Sequence, residues 1–130
     1  MQMKQITLKI SETESLVLNP RGVNPVNGVA TLASAATVPM LEKRVTTSVS
    51  QPSRNRKTYK VHVKLQNPVE CTADSKNCEP VVQSTAYVDV AFSFSKVSTA
   101  AERTYIRKEL IAYLQSDLME DAIDNLNPLY

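Results

Sequence analysis

The 130-residue chain is 42% hydrophobic, enough apolar material for one core and too little for a second, so a single domain is expected. Its formal charge of +2 is too mild to mark a nucleic-acid binder by composition alone. No stretch reaches the roughly 20 apolar residues that span a bilayer, and the N-terminus lacks the apolar block of a signal peptide. A soluble protein made in the cytoplasm, with no membrane partner, is therefore expected.

From Lys4 to Ile10 polar and apolar residues alternate, and a second run from Ser15 to Leu18 follows the polar Ser11-Glu12-Thr13-Glu14, which predicts an N-terminal hairpin. The segment Asn19 to Gly28 holds two prolines and both glycines, so a succession of turns is expected there, with Asn27-Gly28 as a type I′ candidate. A short strand from Val29 to about Ala33 and a loop through Pro39 come next.

Three better-patterned strands follow. In Arg44 to Ser50, Thr46, Ser48 and Ser50 share one face, while Val45, Thr47 and Val49 share the other. In the next strand Tyr59, Val61, Val63 and Leu65 oppose Thr58, Lys60, His62, Lys64 and Gln66, because successive strand residues point to opposite sides. An irregular stretch is expected from Asn67 to Val82. Beyond it Ala86, Val88, Val90, Phe92 and Phe94 line one face, and Thr85, Tyr87, Asp89, Ala91 and Ser93 the other.

The C-terminus changes period. Thr99-Ala100-Ala101-Glu102 is a capping-box pattern, and Ile106, Leu110, Tyr113 and Leu114 recur at helical spacing, which predicts a helix from about Ala100 to Leu114. Ser116 or Asp117 can cap a second helix with the stripe Leu118, Met119, Ala122, Ile123 and Leu126, ending before Pro128. Strands followed by helices make an α+β class with an antiparallel sheet. Two short helices are a narrow cover for so many strands, which points towards a dimer.

If the patterned strands pair, Thr46, Ser48, Lys60, His62, Lys64, Tyr87 and Asp89 gather on one polar surface. Lysines there can contact phosphates, Asp89 and the hydroxyls can bond base edges, and Tyr87 offers a ring for an unpaired base. An ordinary solvated sheet face explains the same residues. Basic charge concentrates nearby, from Lys43 to Lys64, whereas the C-terminus is acidic. An enzyme is not expected: His62 is the only histidine, a flat sheet face seldom builds a nucleophile–base pair, and no metal or cofactor motif is present. A nuclease using His62 is the remote alternative. Two cysteines, Cys71 and Cys78, are too few for a structural zinc site and read either as free thiols or as cross-linking residues.

Four blocks carry a resemblance: Asn19-Pro20-Arg21-Gly22-Val23-Asn24-Pro25-Val26-Asn27-Gly28-Val29-Ala30, Leu41-Glu42-Lys43-Arg44-Val45-Thr46, the segment Ser48 to Lys57, and the ending Ala122 to Tyr130. They strongly resemble the coat protein of single-stranded RNA bacteriophages of the Qβ type, over about Thr7 to Tyr130. The resemblance implies an N-terminal hairpin, a five-stranded sheet continued across a homodimer, and C-terminal helices interlocking over the partner. It further implies a T=3 icosahedral shell around the RNA genome, with the sheet face binding an operator hairpin to repress replicase translation. A translational regulator that binds a hairpin without forming a shell is the alternative.

Carried over by resemblance, Val29, Thr46, Ser48 and Lys64 take an unpaired adenine, Tyr87 stacks on a base, and Arg56, Lys60 and Asp89 contact the hairpin. Thr58 and His62 stand where Qβ-type coats commonly have Asn and Gln. Cys71 and Cys78 match loop cysteines that link neighbouring subunits in Qβ-type shells, in a loop one residue longer here.

Overall fold

The computed structural model describes residues 3–26, 28–36, 39–55, 57–70 and 82–129. It divides into two compact units, Met1–Ser93 and Phe94–Tyr130. The first is built on an antiparallel meander: β1 (Ile6–Lys9), β2 (Ser15–Val23), β3 (Ala30–Ala33), β4 (Arg44–Ser50), β5 (Thr58–Glu70) and β6 (Val82–Ser95), which runs into the second unit. The six strands lie side by side in chain order. The expected hairpin is present, but it is not separate from the sheet. The first half of β2 pairs with β1, from Leu18 opposite Ile6 to Ser15 opposite Lys9, and its second half pairs with β3.

That second half corrects the turns expected from Asn19 onward. The strand continues through Pro20 and Arg21 to Val23, with a bulge between Pro20 and Gly22. A bulge tolerates both residues that looked like breakers: Pro20 lacks an N–H for the ladder, and Gly22 has a positive φ of 129° that a side chain would resist. The turn itself is confined to the stretch between Val23 and Ala30, where Asn24 N–H donates to Val29 O at 2.9 Å and Gly28 N–H to Asn24 O at 2.8 Å. It is longer than the two-residue type I′ hairpin expected there, and Asn27 lies outside the described residues.

The β4–β5 register explains the alternation in both sequences. Val45 faces Leu65, Thr47 faces Val63 and Val49 faces Val61, so one side of the sheet pairs aliphatic and β-branched side chains, with Thr47 the one hydroxyl among them. Polar meets polar on the other side. A one-residue slip would mix the two sets, so the pattern fixes the register.

Irregular structure is expected from Asn67 to Val82, but the chain is still strand at Asn67, and residues 71–81 lie outside the described residues. β5 runs on to Glu70 and β6 begins at Val82, so these strands of 13 and 14 residues outrun the 7-residue β4. Pro68 disguised this extension. It lies past Gln66, the last partner of β4, where a missing N–H removes no rung of that ladder.

In the second unit α1 spans Ala100–Leu114 and α2 spans Asp117–Asp124, as the periodicity predicts. The capping box is formed: Glu102 N–H donates to Thr99 Oγ1 and Thr99 N–H to Glu102 Oε2, each at 3.3 Å. Ser116 caps α2 by accepting from Met119 N–H at 3.4 Å. Beyond α2, the Asp121 carboxylate accepts from the side-chain amides of Asn125 at 2.8 Å and Asn127 at 3.1 Å. These bonds hold the chain at Leu126, which has a φ of 56°, unusual for a residue other than glycine.

Burial is sparse throughout. Leu18 and Ala33 are the buried hydrophobic residues of the described chain, and neither helix has a buried residue. Val49 and Val88 are exposed on the strands, as are Ile106, Ile111, Leu118, Ile123 and Leu126 in the helical unit. No helix among the described residues is long and apolar enough to cross a membrane.

Candidate nucleic-acid interface

Cross-strand registers assemble the polar face row by row. Thr31, Thr46 and Lys64 form one row across β3, β4 and β5; Ser48 and His62 form the next, and Ser50 and Lys60 the one beyond. In the opposite direction Arg44 faces Gln66. β6 neighbours β5 and adds Tyr87 and Asp89. His62 Nε2–H donates to Asp89 Oδ1, tying the two strands at the centre of this face.

Thr31, Arg44, Thr46, Lys64, Tyr87 and Asp89 line a groove of about 550 Å³, together with Leu65, Gln66 and Val88. Tyr87 is 73% exposed, so its ring is open to a ligand rather than packed in the sheet. A second hollow of about 640 Å³ shares Thr31 and Arg44 with the groove and extends it towards Arg21 and Val29. Between the hollow's two guanidinium groups lies Glu42, whose carboxylate is 2.8 Å from Arg21 and 3.6 Å from Arg44. One acid shared by two bases leaves this end of the face cationic.

The structure thus brings Thr46, Lys64, Tyr87 and Asp89 together in the groove. Ser48, His62 and Lys60 stand beside it, with Thr58 at the start of the same β5 face. Val29 lines the adjoining hollow instead of the groove. Arg56, Cys71 and Cys78 lie outside the described residues. The strand pattern does not single out Thr31 or Arg44, and it sets Gln66 on the polar face without marking it as part of a site. Alternation assigns a residue to a face, but only the register says which residues on that face are neighbours.

A cationic groove bearing an exposed ring, hydroxyls and one carboxylate can hold a phosphate backbone and stack and edge-bond a base. Comparison with known proteins shows where this chain belongs. The family model described as "Levivirus coat protein" matches residues 1–130. The chain is a member of the levivirus coat protein family. It is 63% identical to the capsid protein of Escherichia virus Qbeta over 117 residues, covering 90% of this chain and 87% of that protein. Among solved structures, its fold matches "Virus-like particle of Beihai levi-like virus 21" with a TM-score of 0.88 at 19% identity, over 100% of this chain and 99% of the other. It also matches "Unassembled virus coat protein dimer, bacteriophage RNA-binding dimer" with a TM-score of 0.70 at 20% identity, over 98% and 97% of the two chains.

Membership bears out the resemblance read from the four sequence blocks and the expected α+β coat fold. The relatives of this coat protein are structural capsid proteins, not enzymes, which removes the nuclease reading of His62. The His62 imidazole has instead a structural partner in Asp89.

Proposed function

We propose that this coat protein assembles as homodimers into a T=3 icosahedral shell around its RNA genome. In the same proposal the polar face of the sheet lines the shell interior and binds an operator hairpin, repressing replicase translation. Assembly takes place in the cytoplasm of a bacterial host. The observation that carries the RNA reading is Tyr87, a largely exposed aromatic ring on the rim of a groove whose other walls include Lys64, Arg44, Thr46 and Asp89. An exposed ring flanked by cationic side chains offers a platform on which a base can stack.

The exposed apolar residues support dimerisation. A chain whose helices bury none of their residues leaves Leu118, Ile123 and Leu126 in water unless a second copy covers them. Leu126 is the sharpest case. It holds a backbone conformation that glycine would adopt at lower cost, and its side chain is 83% exposed. A covering partner gives that side chain a purpose.

The hairpin reading is tested by filter binding of the purified protein to the replicase-start hairpin of its genome and to a scrambled stem-loop. Tighter binding to the first is expected, and equal binding to both would contradict operator recognition. In the same assay Lys60→Ala should lower the slope of log affinity against log salt by about one, as the loss of one phosphate contact requires. An unchanged slope would remove Lys60 from the interface.

Cys71 and Cys78 are proposed to link neighbouring subunits of the shell. Non-reducing electrophoresis of assembled particles should show multi-subunit ladders that collapse with reductant. Monomer bands alone would rule the links out.

A further inference from the structure

We propose that His62 is a positioning residue that aims Asp89, and that the pair makes the groove prefer a base edge carrying an amino group over one carrying a carbonyl. This rests on the reading of the face as an RNA-binding surface. The two residues stand on neighbouring strands, and only Asp89 is on the groove wall, beside Tyr87 on the same face of β6. His62 stands outside the groove, in the row of Ser48, and reaches across to Asp89 Oδ1.

An ionised carboxylate accepts hydrogen bonds and cannot donate them. With Oδ1 held by the imidazole, rotation of the carboxylate about its own bond is restrained. Oδ2, which has no partner among the described residues, is left as the acceptor on the groove wall. Cytosine N4 and adenine N6 present amino hydrogens that such an oxygen can take. Uracil presents O4 in the place of the cytosine amino group, setting acceptor against acceptor. Cytosine and uracil are nearly the same size, so stacking on Tyr87 hardly separates them, whereas the Asp89 contact does.

His62 contributes to this selection because Asp89 is 59% exposed at its side chain. A surface carboxylate without a tether exchanges between rotamers and solvates either oxygen, which blurs discrimination. A tether from a stiff, 39% exposed imidazole on the neighbouring strand limits that freedom. The imidazole also sets a donor against the carboxylate's charge, easing the approach of phosphates between Lys60 and Lys64.

The test uses the full-length protein and a pool of RNA hairpins with randomised loops, sequenced before and after binding. Wild-type protein should enrich cytosine or adenine over uracil at one loop position by about 5- to 10-fold. His62→Gln, whose amide N–H reaches about as far, should keep the preference. His62→Asn, too short to reach Asp89, and His62→Leu should flatten it to within about twofold, as Asp89→Asn does. Combining His62→Leu with Asp89→Asn should add nothing further. Wild-type preference surviving in both His62→Asn and His62→Leu would overturn the positioning role while leaving the RNA-binding face intact. No loop enrichment by the wild-type protein would overturn both.

Discussion

Ile123→Asp is expected to abolish assembly, leaving purified protein that forms neither dimers nor particles. Ile123 lies on α2, more than half exposed in the single chain, as is Leu118 on the same helix. If a partner covers this stripe, the variant loses the burial of a large aliphatic group, worth about 2–3 kcal/mol, in each of two symmetry-related places. It also places a carboxylate where water is excluded, at a further several kcal/mol. Both costs exceed what a marginally stable assembly tolerates. Sedimentation velocity is the direct measurement, with wild type as a dimer or larger. The effect should be confined to association-dependent stability: wild-type protein melts at higher temperature as its concentration rises, because folding and association are coupled. A concentration-independent melt and an Ile123→Asp variant that still dimerises would show that the stripe faces solvent.

Tyr87→Ala is expected to weaken binding of a specific hairpin by about 1–3 kcal/mol, roughly 5- to 150-fold, through loss of one base-stacking platform. The fold should be unaffected, since the ring is 73% exposed and fills no part of the core. Binding to long duplex RNA should change little, because that binding is carried by lysines and arginines along the backbone. Isothermal titration with hairpin and duplex separates these effects. Equal losses on both RNAs would mean that Tyr87 contributes to a general surface and stacks on no particular base.

Much of this fold was legible locally. Alternation in β4 and β5 set their faces, and the capping box at Thr99 and Glu102 set the start of α1, because both signals lie within a few residues of each other. The strand through Asn19 to Val23 was not legible. Pro20 and Gly22 read as turn residues in isolation, and only pairing with β3 shows that a bulge accommodates them. Pro68 hid the end of β5 in the same way. For the interface, the residue types of Thr46, Lys64, Tyr87 and Asp89 announced a polar face, but the membership of Thr31 and Arg44 depended on a register spanning three strands. The His62–Asp89 contact joins residues 27 positions apart, and no periodicity encodes it. What sequence pattern leaves out is adjacency between strands, and adjacency is what turns a polar face into a groove.

In the proposed assembly this chain builds an RNA-filled shell with its polar sheet face inward. Electron microscopy of the protein expressed in bacteria, paired with extraction of nuclease-protected RNA from the same fraction, tests it directly. Closed isometric particles carrying protected RNA are predicted. Dimers alone, or closed particles from which no RNA can be extracted, would contradict it.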